Sequence, residues 1–158
     1  MPGAAQRSPR IARIGILSDE SAASPIGFDQ FARELREFGW VEGRNVAFEK
    51  RFAEQRFDAL PQLAAELTHR HIDLIFAIGT PAAQAAKGAT QTIPVVFARA
   101  SNPLASGLTP SLSRPGGNVT GVASLIRDLD VKRLELLSAA VPQAKRIGVL
   151  WDPRFPRL

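Results

Sequence analysis

Short apolar runs rich in β-branched and aromatic residues recur along the chain, each followed by a polar break and then by apolar residues at helical spacing. Ile14 to Leu17, Leu74 to Ile78, Val95 to Ala98 and Ile147 to Trp151 are too short for helices and too continuous for one-sided strands, so they read as strands buried on both faces of a parallel sheet. Phe28, Phe31, Ala32, Leu35 and Phe38 recur at three- and four-residue steps and predict a helix over Pro25 to Phe38, ended by Gly39. Val46 to Phe52 alternates instead, with Val46, Phe48 and Lys50 on one side and Ala47, Glu49 and Arg51 on the other, the pattern of an edge strand. A helix over Ala59 to Arg70, capped by Asp58, carries Leu60, Leu63, Ala64 and Leu67 toward the sheet. A small-residue helix runs from Thr80-Pro81 to about Lys87, and a short one from Pro103 to Gly107. The turn-rich loop Leu112 to Asn118 leads into a strand at Val119 to Ser124. Last come a helix from Asp128 to Ala140, with Val131, Leu134, Leu137 and Ala140 on one side, and a strand from Arg146 to Trp151.

Strand alternating with helix in this way defines an α/β fold, a doubly wound, mostly parallel sheet flanked by helices. Four dipeptides punctuate it: Ser24-Pro25, Thr80-Pro81, Asn102-Pro103 and Asp152-Pro153. Each pairs a residue suited to a helix N-cap with a proline suited to the first helical position, so each is expected to open a helix just past a strand. Open parallel sheets bind ligands at that edge, where helix N-termini present unpaired amides. The arrangement suits a small anionic or polar ligand.

Composition narrows the function. At 158 residues and 45% hydrophobic content the chain can bury an ordinary core. It has no cysteine, which removes disulfide and thiolate chemistry. The net charge of +5 is dispersed, with no basic tract interleaved with aromatics and no recognition-helix motif, so nucleic acid is not an expected partner. No apolar stretch is long enough to span a bilayer, and Met1 to Arg13 lacks the apolar segment of a secretory signal.

Catalytic signatures are missing. No serine flanked by glycines follows a strand, and Gly79-Thr80-Pro81 lacks both the second glycine and the lysine of a phosphate-binding loop. Asp19 and Glu20 are adjacent in a loop and read as solvated charges rather than an acid/base pair. His69 and His71 precede the third strand, at the edge away from the crevice, so no metal is expected. No cofactor is implied, and the chain reads as a non-enzyme.

Five ordered segments resemble one family. They are Gly39-Trp40-Val41-Glu42-Gly43-Arg44-Asn45, the run from Leu60 to Leu67, Gly79-Thr80-Pro81-Ala82-Ala83, the loop from Leu112 to Gly121, and Lys132-Arg133-Leu134-Glu135-Leu136-Leu137. Together they are similar to the substrate-binding proteins of ABC transporters, specifically the tryptophan and tyrosine uptake-like group, with periplasmic-binding-protein type 1-like lobes of flavodoxin-like topology. The resemblance implies two lobes with a small ligand between them, of which this chain carries the first. On that reading residues 1–12 are a disordered tail, 13–124 the N-terminal ligand-binding lobe, and 125–158 a crossover helix and the first strand of a truncated second lobe. It further implies a permease partner in the membrane and a periplasmic or lipid-anchored, extracytoplasmic location; oligomeric state is left open. Two positions depart from the family pattern: Asn102-Pro103 where Asp-Pro is usual, and Asp152 where Asn is usual.

The expected site follows from position and resemblance together. Ser18, Gly79, Thr80, Pro81 and Asn102 stand just past the first, third and fourth strands, and Trp151 at the carboxyl end of the last. These six are the expected ligand contacts, hydroxyl and amide groups backed by helix amides, suited to an amino-acid-like molecule or a carboxylate. Trp40, at a helix end on the other edge, is expected to pack. Rival readings on the same sheet are a small-molecule-sensing regulator domain and a phosphosugar- or nucleotide-binding enzyme.

Overall fold

The computed structural model describes residues 10–124 and 129–148. In chain order the elements are β1 (Ala12–Ser18), α1 (Ile26–Glu37), β2 (Val46–Phe52), α2 (Leu60–Thr68), β3 (Leu74–Ile78), α3 (Thr80–Ala89), β4 (Val95–Ser101), β5 (Val119–Ser124) and α4 (Asp130–Ala140). The strands form a five-stranded sheet in the order β2-β1-β3-β4-β5, with every neighbouring pair parallel. This is the doubly wound sheet the sequence predicts. The chain steps from β1 outward to β2, then back past β1 to β3, so the winding reverses between β1 and β3. Carboxyl ends of all five strands share one edge, and the reversal opens a crevice there.

The two faces of the sheet are packed differently because their residues differ in size. One face carries α2 and α3, whose Leu60, Ala64, Leu67, Ala82, Ala83 and Ala86 are buried with Leu17, Ile75, Ala77, Val95 and Phe97. Alanines let α3 lie close against β3 and β4, where a larger side chain would hold it off. On the other face α1 packs through rings: Phe31 stacks on Phe76 with centroids 3.9 Å apart, and Phe28 meets Phe48 edge-on at 5.3 Å. Lys50, on the edge strand, lays its ammonium 4.3 Å from the centre of the Phe28 ring.

Loops of the resembling segments are held by their own asparagines. Asn45 accepts from the Val41 amide at 2.7 Å and donates to the Gly39 carbonyl at 2.9 Å, which closes the turn between α1 and β2. Asn118 donates to the carbonyls of Thr90 and Ile93 at 3.2 and 2.8 Å, tying the start of β5 to the start of β4.

Several local expectations need correction. Ser24 does not cap α1: the N-cap position is Pro25, without a side-chain bond. Asp58 falls inside a single 3-10 turn, Phe57–Ala59, and α2 starts one residue later with Ala59 at its cap. Pro103 to Gly107 forms turns rather than a helix. Phe38 is 81% exposed, because Gly39 (φ +84°) ends α1 before that position reaches the core. The expected apolar side of α4 is also open, with Val131, Leu134 and Leu137 all exposed. Arg146 to Gly148 are not in a strand, and the rest of that expected strand lies outside the described residues.

Two glycines test the packing in opposite directions. A Cβ on Gly121 in β5 would stand 2.1 Å from the Phe97 carbonyl oxygen, whereas one on Gly88 in α3 meets nothing within 4 Å. Gly121→Ala is expected to destabilise the fold by about 2–3 kcal/mol, and Gly88→Ala to stabilise it by about 0.5–1 kcal/mol, both read from urea unfolding.

Candidate functional site

The crevice is built where β1 and β3 run side by side, with Ser18 opposite Ile78 in register. Ser18 is fully buried and its Oγ accepts from the Glu20 amide at 3.1 Å, turning the chain sharply as it leaves β1. Gly79 follows β3 at φ +93°, a conformation that glycine adopts without a side-chain clash. Its amide donates to the Ala98 carbonyl at 2.9 Å and its carbonyl accepts from Ala83 at 3.0 Å, so one residue closes the strand ladder and opens α3.

Thr80 is the first residue of α3 rather than its cap, and it is buried. Its Oγ1 accepts from the Ser101 amide at 2.9 Å, fixing the end of β4 to the start of α3. Pro81 has no N–H to give, and Ala83 is committed to Gly79; among the described residues the amides of Thr80 and Ala82 have no partner. Asn102 is exposed at φ +41°, and its Oδ1 accepts from the Ala105 amide at 3.1 Å, a capping bond that closes a turn rather than a helix. Ser18, Gly79, Thr80 and Asn102 thus stand at the carboxyl edge of three consecutive strands, as expected. Pro81 lines a groove between α2 and α3 with Phe57, Leu60, Gln84 and Ala85. Trp151 lies outside the described residues.

The charged groups of this edge differ from the sequence expectation. Glu20 is not a solvated loop charge: its carboxylate pairs with Arg99 and accepts from the Gly27 amide at 3.2 Å. It therefore caps α1, the role expected of Ser24. Arg99 sits at φ +59° where the β4–β5 register shifts between Phe97 and Ala100. Asp19 lies against the bare Cα of Gly79, its carboxylate oxygens 3.1 and 3.3 Å from where a Cβ would stand. Burial, and then the charge of Glu20, push its carboxyl above the usual aspartate range, while its own amide and Arg99 pull the other way. No ion pair reaches it among the described residues. Strand order was needed to find this trio, since nothing local in the sequence links position 99 to positions 19 and 20.

The groove between α2 and α3 has a volume of about 630 Å³, and a smaller cavity of about 220 Å³ lies between α1 and the sheet, lined by Phe31, Phe76, Ile78, Ala98 and Arg99. Both are flanked by helices, and Pro81, between the two unpaired amides of α3, borders the larger one. Among the described residues no group of three or more His, Cys, Asp or Glu residues is placed to hold a metal ion. No helix among them is long and apolar enough to cross a membrane.

The switch point of this doubly wound sheet thus gathers the Ser18 and Thr80 hydroxyls, two α3 amides unpaired among the described residues and the Asp19 carboxylate. The chain belongs to the ABC transporter substrate binding protein family, whose model matches residues 14–157. It is 36% identical over 122 residues to a tyrosine-binding protein of Clostridioides difficile (strain R20291), a match covering 77% of this chain and 35% of that protein. Among solved structures it is similar to the ABC domain from Streptococcus pneumonia in complex with L-Trp, with 31% identity and a TM-score of 0.66 over 72% of this chain and 38% of that one. A conserved domain protein from Vibrio cholerae gives 29% identity and a TM-score of 0.79 over 91% of this chain and 48% of that one. The chain spans less than half the length of each of these relatives.

Two outcomes test the geometry. Thr80→Ala removes the acceptor of a part-buried amide and is expected to cost about 1–3 kcal/mol in urea unfolding, with Thr80→Ser recovering most of it. Because the Asp19 carboxyl titrates higher when folded, the folded chain holds the extra proton above the ordinary aspartate value of 3.8, and stability falls as pH rises through that window. Asp19→Asn is therefore expected to be more stable than the parent at about pH 7, with the advantage closing at about pH 3.

Proposed function

We propose that this chain supplies one wall of the cleft of a two-lobed solute-binding protein serving an ABC uptake transporter. Residues 13–124 form the ligand-binding lobe, and residues 125–158 lead toward a second lobe. The ligand is a small amino-acid-like molecule or a carboxylate. Its recognition closes the two lobes over it, and a membrane permease reads the closed form. The protein works outside the cytoplasm, in the periplasm or on a lipid anchor, and transports without chemical change to the ligand.

The observation that carries this reading is the meeting of Ser18, Gly79 and Thr80 at the winding reversal, with the Thr80 and Ala82 amides unpaired beside them. Two free amides at a helix N-terminus favour a carboxylate without burying a full positive charge. The similarity to a tyrosine-binding protein and to a structure holding L-Trp supports an amino acid in particular. A phosphate-cradling glycine loop would favour an enzyme instead, and Gly79-Thr80-Pro81 lacks the second glycine and the lysine of one.

Titration of the ¹⁵N-labelled chain with L-tyrosine and L-tryptophan tests it. Amide shifts are expected at Ser18, Gly79, Thr80, Ser101 and Asn102, with a Kd on the order of 1 mM because one wall supplies the contacts. A dispersed spectrum in which none of these amides moves would overturn the assignment.

A further inference from the structure

We propose that the outer edge of β2 is a self-association surface, where a second copy of this chain pairs antiparallel about a two-fold axis at Lys50 and joins two five-stranded sheets into one. The inference stands on the edge strand and is independent of what the crevice binds.

Backbone direction along β2 shows what the edge offers. The strand ends the sheet, with β1 as its one neighbouring strand among the described residues. The Ala12 amide donates to the Asn45 carbonyl at 3.0 Å and the Ala53 amide to the Ser18 carbonyl at 2.9 Å, so the odd-numbered residues of this stretch turn their backbone groups toward β1. Alternation along the strand then turns those of Val46, Phe48, Lys50 and Phe52 outward. The loop before β2 takes the first of these, since the Val46 carbonyl accepts from the Gly43 amide at 2.9 Å. From Phe48 to Phe52 the edge has no strand beside it among the described residues, and such an edge is a template for another strand.

Charge selects the occupant and its register. Outward-facing residues pair with outward-facing residues, which allows a two-fold axis at Glu49, Lys50 or Arg51 in the middle of the strand. An axis at Glu49 or at Arg51 sets that residue against its own copy, like charge opposite like. An axis at Lys50 instead sets Glu49 opposite the partner's Arg51 on both sides of the axis, in the close non-hydrogen-bonded pairs whose Cα atoms stand about 4.5 Å apart. Phe48 then faces the partner's Phe52 across the hydrogen-bonded pairs. Within the chain Glu49 is 2.7 Å from Arg13 and Arg51 is 2.9 Å from Glu66. The seam therefore extends two existing ion pairs into a row of alternating sign: Arg13, Glu49, the partner's Arg51 and the partner's Glu66. Lys50 meets its own copy, but its ammonium lies 4.3 Å from the centre of the Phe28 ring and 3.6 Å from Glu42 Oε1, so its charge is answered within its own chain. The Lys50 carbonyl accepts from Arg51 Nη1 at 2.9 Å and keeps a second lone pair for the partner's amide. The same patch serves both copies, as a closed two-fold interface requires. Because the pairing is antiparallel, the two crevices lie at opposite edges of the joined sheet and both stay open.

Sedimentation equilibrium and amide hydrogen exchange of the ¹⁵N-labelled chain, from about 10 μM to about 1 mM, test the pairing. The mass is expected to rise from 17.1 kDa toward twice that value. Exchange at Phe48, Lys50 and Phe52 should slow in step with it, while Glu49 and Arg51, already bonded to β1, stay unchanged. Lys50→Pro removes the central outward amide without touching the β1 ladder and is expected to weaken association about tenfold or more. Arg51→Glu, which opposes the partner's Glu49, should weaken it about tenfold, and adding Glu49→Arg to the same chain should recover part of the loss. A mass of 17.1 kDa across the whole range overturns the proposal and leaves Lys50 as a guard against edge pairing. Association that leaves the three outward amides exchanging at their dilute rate also overturns it, an outcome that needs no variant to fold. So does association unchanged in a Lys50→Pro chain with a well-dispersed spectrum.

Discussion

Gly79 is the constraint on which the crevice depends. At φ +93° it lets β3 pass into α3 within a single residue, and its two backbone groups are committed to Ala98 and Ala83. Any side chain there would be strained by the backbone angle and would also push into the Asp19 carboxylate. The absence of a Cβ therefore does two things at once. It sets the direction in which α3 leaves the sheet, and it leaves the space that the β1 loop fills. Thr80 can reach Ser101 only because α3 begins at this point, so the relation between β3 and β4 at the carboxyl edge follows from the same residue.

Packing on the two faces explains how that edge is kept in register. Fully buried alanines on α3 bring its first turn down against the sheet, and the buried Thr80 hydroxyl locks it. Across the sheet the aromatic layer of Phe28, Phe31, Phe48 and Phe76 holds α1 in place, and Glu20 then joins the head of α1 to the irregular part of β4 through Arg99. The two layers are thus clamped at the same edge by different means, a neutral hydrogen bond on one side and an ion pair on the other. An exposed ion pair of this kind contributes little by itself; its value here is in relating the loop after β1 to the irregular part of β4, 79 residues apart in sequence.

Much of this was legible from residues alone. Period-two alternation gave Val46 to Phe52 as an edge strand with its limits as observed, and continuous apolar runs gave β1, β3 and β4, though not a strand at Arg146 to Gly148. Position past the strands placed Ser18, Gly79, Thr80 and Asn102 at one edge without knowledge of the strand order. What escaped was the source of each cap. Ser24, Asp58 and Thr80 have the right chemistry for a cap at the right place, but a local rule does not weigh competing partners. Glu20 reaches α1 from six residues before its start, and Thr80 finds a better donor in β4. Asp19 was misread for the same reason, since only the fold shows that its neighbour Glu20 is occupied and that it is not. The open apolar side of α4 marks a further limit, because helical spacing predicts which residues share a side and says nothing about what covers it.

The remaining donors define what the edge can do. Of the hydroxyl and amide side chains expected to face a ligand, Ser18 accepts from Glu20, Thr80 from Ser101 and Asn102 from Ala105. Each of these bonds ties a side-chain oxygen to the backbone at a strand end. A hydroxyl that accepts one bond still has its proton to donate, and the Asn102 side-chain amide nitrogen has no partner among the described residues. The edge is consequently rich in donors and carries one free carboxylate. Donors of this kind, at the start of a helix, suit a small anionic or polar group.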